Sequence, residues 1–189
     1  MYTKAQAKEV LIKLVQKFEE HKFHYTSSKY DESNTRRDFI DPFFELLGWD
    51  VGNSAGKAPD KREVILEDPV ETKDSWSNPD YIFYFKGDRK FIVEAKKPSV
   101  DLQGKQVVLQ AKSYAWNARL PVAVLTDFEE FRVFDATLKP HLERPKIGII
   151  KELDLRYTDY VKRFDDLWDV FSKEAIEQLL YRKTISKTN

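Results

Sequence analysis

Two apolar runs, "PDYIFYF" (79–85) and "KFIVEAK" (90–96), are joined only by "KGDR", and a helical pattern over about 103–118 leads from them to a third run, "PVAVLTD" (121–127). This arrangement limits the possible folds more than any other feature of the chain. Gly87-Asp88 suits a tight hairpin turn, so the first two runs pair antiparallel. The helix, with Val107, Leu109, Ala111, Tyr114 and Ala115 among its apolar positions, returns the chain to the same sheet. A strand–helix–strand crossover implies at least one parallel pair and a right-handed connection. The class is α/β.

The rest of the chain adds layers to that sheet. Val10, Leu11, Leu14, Val15 and Phe18 form a helical stripe over about 3–23. "YDESNT" leads into a second helix that Ser33 or Asn34 can cap, with Pro42 as its start or kink and Gly48 as its stop. "REVILE" is a short strand, "DPVETKDSWSN" a polar loop, and "EFRVFD" a strand after "PVAVLTD". Near the end, Tyr160, Phe164, Leu167, Trp168 and Phe171 share a helical face, and "SKEAIEQLLYRK" is a further helix capped by Ser172. We divide the chain into a domain of residues 1–150 and a C-terminal helical extension, 151–189.

Composition narrows the chemistry. Thirteen Phe, nine Tyr and four Trp supply bulk for one core, and no apolar run approaches the roughly 20 residues of a membrane span. The absence of cysteine removes disulfides, thiolate metal sites and a Cys nucleophile, and suits a cytoplasmic protein. Lys+Arg and Asp+Glu both number 32, so net charge gives no support to free-standing nucleic-acid binding. His21, His24 and His141 are too few for a four-ligand zinc site without carboxylates.

The hairpin carries the chemistry. Asp80 opens its first strand, and Glu94 and Lys96, two apart on the second, leave the same face while Ala95 points to the other. Tight pairing lands Asp80 beside Glu94. Two adjacent carboxylates repel unless a cation lies between them. Mg²⁺, with Mn²⁺ as substitute, would accept Asp80, Glu94, the backbone carbonyl of Ala95 and a phosphate oxygen. Lys96 could orient or deprotonate a water, or neutralise charge on the phosphate. Alone, such a trio is also what ordinary charges at strand ends look like.

Asp followed by Glu-x-Lys on the next strand resembles the PD-(D/E)xK nuclease signature, here Pro79-Asp80 and Glu94-Ala95-Lys96. Gln110 and Tyr114 resemble the Q-x-x-x-Y motif of the RecB-like branch. "ESNTRRDFIDPFFELLGWDV", "NPDY", "FIVEAKKPSVDL", "QAKSYAW" and "PVAVLTDFEEFRVFD" together are similar to the N-terminal endonuclease domain of type IIG restriction-modification enzymes, a domain related to the N-terminal region of type I restriction subunits. The resemblance covers about residues 30–135. It implies a restriction-endonuclease-like core (αβββαβ) with a central mixed sheet flanked by helices, and a Mg²⁺-dependent endonuclease module cutting double-stranded DNA. In it Gln110 supports the site, and an acid on the first core helix, Glu32 or else Asp38, joins the metal shell. Lys97, Arg36 and Arg37 are candidate phosphate contacts, and Trp76 is a weaker DNA candidate.

Such enzymes carry methyltransferase and target-recognition domains, but this chain has no Asn/Asp-Pro-Pro-Tyr motif and no Walker loop. We expect those domains in the same polypeptide or in a partner subunit, with 151–189 as the connector and a transient dimer on DNA for double-strand cutting. Two rivals are a repair or RNA-directed nuclease with the same site, and a nuclease fold kept only for DNA docking or assembly.

Overall fold

The N-terminal stripe forms α1 (Lys4–Glu20), started by a capping box between Thr3 and Gln6. It buries Ala7, Leu11, Leu14 and Phe18. It ends three residues before the expected limit, at His21, and a single further turn, α2 (Lys22–Tyr25), follows. This computed structural model describes residues 2–67, 70–71 and 76–186, without the side chains of 70–71, 76–77 and 180–186.

The second helical run is α3 (Glu32–Thr35), a π-helical turn (Arg36–Ile40) and α4 (Asp41–Leu46). Its cap is Asp31, not Ser33 or Asn34. Asp31 has extended backbone and its carboxylate accepts from the Asn34 amide at 2.7 Å, which places Ser33 and Asn34 inside the helix. Pro42 neither starts the run nor ends it. The ring removes the donor that would reach the Asp38 carbonyl, and the Lys17 ammonium bonds that carbonyl instead, at 3.2 Å. Just before it the helix widens, the Asp41 amide donating five residues back to Arg36. Gly48, at φ 94°, ends the run as expected.

The strands are β1 (Val64–Leu66), β2 (Val70–Glu71), β3 (Trp76–Ser77), β4 (Tyr81–Phe85) and β5 (Asp88–Ala95). After them come α5 (Lys105–Asn117), β6 (Val122–Thr126), β7 (Glu130–Asp135), β8 (Leu155–Arg156), α6 (Tyr157–Tyr160), α7 (Phe164–Phe171) and α8 (Lys173–Ser186). A six-stranded sheet runs β1-β4-β5-β6-β7-β8. Only β5–β6 is parallel, as the α5 crossover requires, so the sheet is mixed. The α/β class and the helix, three strands, helix, strand order of the restriction-endonuclease-like core are both present.

Three local readings change. The hairpin turn lies one residue earlier than expected, at Lys86-Gly87. Both have positive φ, 53° and 86°, the type I′ geometry that matches strand twist. The polar stretch 68–78 includes a small antiparallel ladder, β2 with β3. β8 is too short to leave a sequence pattern.

Alternation along β5 divides the core. Phe91, Val93 and Ala95 face α1, α4, α6 and α7, and Ile92 faces α5. On the first face Phe83 stacks on Phe91 at 4.4 Å, Phe171 meets Phe91 and Phe131 edge-on at 5.4 Å, and the Trp49 indole donates to the Phe171 carbonyl at 2.8 Å. The expected division at 150/151 therefore runs through one hydrophobic core. The helical face of Tyr160, Phe164, Leu167, Trp168 and Phe171 is present and buried, and it is part of that core, not an exposed tail. Ser172 caps α8, accepting from the Ala175 amide at 3.0 Å. Among the described residues no helix is long and apolar enough to cross a membrane.

Candidate active site

Asp80 lies one residue before β4, and Tyr81 pairs with Val93, so Asp80 stands opposite Glu94. Asp80, Glu94 and Lys96 have the same parity as Ile82 and Ile92, which pack against α5, and they open at the end of the sheet. Ala95 points the other way and is fully buried, as expected. Its amide donates to Asp80 Oδ2 at 2.8 Å. Its carbonyl, the expected backbone ligand, belongs to the last residue of β5.

The charges are held tightly. Glu94 is 2% exposed. Its Oε1 accepts from Lys96 Nζ at 2.6 Å, while its Oε2 is buried without a hydrogen-bond partner. Burial first, then the neighbouring Asp80 charge, pushes the Glu94 carboxyl up to about 7, against the pull of Lys96. Burial also raises Asp80, opposed by the Ala95 amide, Lys96 and Arg36. Burial alone would lower Lys96, but Glu94, Glu32 and Asp80 outweigh it and hold the ammonium above its usual range.

The two candidate helix acids separate. Glu32 Oε2 lies 3.9 Å from Lys96 Nζ, so Glu32 looks into the site. Burial raises it too. Asp38 turns away, accepting from the Tyr30 hydroxyl at 2.8 Å. Gln110 is brought to the α5 face but bonds Tyr114, its amide donating to the hydroxyl at 3.0 Å. Lys97 Nζ donates to the Ser28 carbonyl at 3.3 Å, and exposed Arg37 bonds Asn34 at 2.6 Å. The Trp76 side chain lies outside the described residues. His21 and His24 are exposed and meet the Tyr25 ring edge-on.

Arg36 was read as a phosphate contact, yet it is engaged inward. Its Nη1 lies 3.3 Å from Asp80 Oδ1 and its Nε donates to the Tyr81 hydroxyl at 3.1 Å. That hydroxyl donates to Asp41 Oδ1 at 2.6 Å. Sequence reasoning missed Tyr81 and Asp41. Arg36 and Asp41 are five apart, out of phase for an α-helix, and only the π-turn sets them side by side. It also missed Asp127, buried at the end of β6, whose Oδ1 accepts from the Glu130 amide at 2.7 Å and whose carboxyl burial raises to about 7. An acid closing an apolar strand, as in "VAVLTD", was the available signal.

The donor set suits a hard cation. Two carboxylates face each other across the hairpin, and one of their oxygens is buried with no donor. Among the described residues no three His, Cys, Asp or Glu side chains come together in a set that could hold a metal by themselves, so Asp80 and Glu94 would need a backbone oxygen, water or phosphate to complete a shell. That is how Mg²⁺ is usually held.

The type II restriction enzyme and methyltransferase RM.Eco57I of Escherichia coli is 33% identical to this chain over 172 residues. The chain is homologous to part of that restriction enzyme. The match takes in 89% of this chain but spans only 17% of the relative's length. The resemblance to type IIG restriction-modification enzymes, read from the residue patterns, is thereby borne out. A solved structure, that of the type IIG restriction endonuclease BpuSI, overlays 76% of the chain and 17% of its own, at 18% identity and a TM-score of 0.49. No family profile matches the chain.

Proposed function

We propose that this chain is the Mg²⁺-dependent endonuclease module of a restriction-modification system, hydrolysing phosphodiester bonds of double-stranded DNA. The observation that carries the reading is the Asp80–Glu94–Lys96 cluster at one sheet end, with Glu94 Oε2 buried and unpartnered. The restriction-enzyme relative supports the biological setting.

In this reading Asp80 and Glu94 hold the metal, with the Ala95 carbonyl beside them and Glu32 at the rim. Mg²⁺, when bound, supplies Lewis-acid polarisation of the phosphate and a more acidic nucleophilic water. Lys96 keeps its proton. Its raised pKa favours donation from Nζ toward charge developing on the phosphate over removal of a proton from water. The Ala95 amide and Arg36 fix the two oxygens of Asp80, so the carboxylate need not reorganise when substrate arrives. Gln110 supports the site through Tyr114. Methyltransferase and target-recognition functions reside outside these residues, in the same polypeptide or a partner, and a transient dimer on DNA supplies the second cut.

Plasmid nicking with Mg²⁺ or Mn²⁺ tests this. Cutting is expected for wild type and lost in Asp80→Ala and Lys96→Ala. Activity that survives both substitutions would remove the trio as the catalytic centre.

A further inference from the structure

We infer that Arg36 is a positioning residue for Asp80, locked in place by Tyr81 and Asp41 through the π-turn, and not a contact to DNA. The inference rests on the metal reading above.

Four observations carry it. The Arg36 side chain is only 17% exposed. Its guanidinium lies over the Tyr81 ring at 4.7 Å, which fixes its plane. Acceptors take it on two sides, with Asp80 Oδ1 at 3.3 Å and Glu67 Oε1 at 3.5 Å about Nη1, and the Tyr81 hydroxyl at 3.1 Å from Nε. Tyr81 is itself fully buried and its hydroxyl donates a hydrogen bond to Asp41 Oδ1 at 2.6 Å, which orients the hydroxyl lone pairs toward Arg36.

The geometry matters because Asp80 precedes the strand: the Glu67 amide holds its backbone carbonyl at 3.1 Å, but this leaves the side chain to be oriented by its own contacts. Two contacts fix its carboxylate, the Ala95 amide on Oδ2 and Arg36 on Oδ1. Removing one leaves the plane free to turn. Asp41 anchors the far end of the chain of bonds, and it reaches Tyr81 because the i+5 bond of the π-turn brings it level with Arg36. A regular α-helix would turn Asp41 by about 100° further per extra residue, away from the tyrosine.

The test compares Tyr81→Phe and Arg36→Lys with wild type. Both keep the positive charge, so the electrostatic field on a metal is unchanged and only orientation is lost. Mn²⁺ binding to the 189-residue protein is measured without DNA, from the free-ion signal in electron paramagnetic resonance, after circular dichroism has shown each variant folded. We expect both variants to bind Mn²⁺ about ten- to a hundredfold more weakly, as when a ligand's supporting partner is removed. In parallel, duplex binding by Arg36→Gln is followed against salt in EDTA, and its slope is expected to match wild type. Mn²⁺ affinity equal to wild type in both variants overturns the inference. So does a salt slope shallower by about one phosphate contact in Arg36→Gln. Wild-type protein that binds no Mn²⁺ overturns the metal reading itself, a result distinct from either.

Discussion

Glu94→Gln is expected to gain stability on the metal-free wild type as pH rises, while removing the proposed metal site. The argument is linkage. The Glu94 carboxyl lies at 4.5 in a free chain and is pushed up to about 7 in the fold by burial and by Asp80. A carboxyl raised on folding contributes stability that is fully present below its unfolded pKa and is lost as pH rises through its folded pKa. Between about pH 5 and about pH 8 that loss is roughly 2–3 kcal/mol. Glutamine does not titrate, so the variant escapes it. The substitution also weakens the bond to Lys96, a cost of about 1–3 kcal/mol. The part of that bond that changes as Glu94 ionises is already contained in its raised pKa and is not counted again. The assay is urea unfolding of both proteins in EDTA across the pH range. The stability difference, variant minus wild type, should rise by roughly 2–3 kcal/mol from about pH 5 to about pH 8. Saturating Mn²⁺ should then stabilise wild type and leave the variant unmoved. A difference that stays flat with pH would refute the idea that the site stores repulsion which a cation relieves.

Other consequences are open to simpler tests. Asp127→Asn should gain on wild type as pH rises, for the same reason, since burial lifts Asp127 from 3.8 to about 7. Thermal melts at several pH values would show it, and equal shifts at every pH would count against it. Phe171→Ala should cost about 3–5 kcal/mol, since its ring closes on Phe91 and Phe131, and urea unfolding would measure it. A loss under 1 kcal/mol would mean α7 is not part of the core. Lys112→Met should free the loop around residue 146, because the buried ammonium donates to the Pro145 carbonyl at 3.3 Å and the Ile147 carbonyl at 2.6 Å. Faster amide exchange there, with α5 still protected, is the expected sign.

What the sequence made legible was whatever obeys a short period. The hairpin and crossover follow from apolar runs and one turn, and the trio follows because strand alternation puts Glu94 and Lys96 on one face. The Arg36–Tyr81–Asp41 chain was hidden because it depends on a π-turn, whose i+5 step no helical periodicity announces. Gln110 is exposed on α5 and its side-chain amide bonds Tyr114, a choice made by side-chain geometry that the Q-x-x-x-Y spacing allows but does not dictate. The C-terminal helices were seen as helices, but that α6 and α7 complete the core of the preceding residues was not. An amphipathic pattern says that a face is buried and is silent on what buries it. The packing of Phe171 on Phe91 and Phe131 and the Trp49 bond to the Phe171 carbonyl reveal the partner.

That late closure bears on how the protein is made. The hairpin carrying Asp80, Glu94 and Lys96 leaves the ribosome early, and its apolar side waits for α6 and α7 to arrive. At about 5–20 residues per second, several seconds separate the two events. Through that interval Phe83, Phe91 and Phe131 lack their final neighbours, and the strand that sets Glu94 against Asp80 has cover from α1 and α4 alone. A nascent or prematurely stopped chain thus carries Asp80, Glu94 and Lys96 without the packed layer that holds their strands rigid.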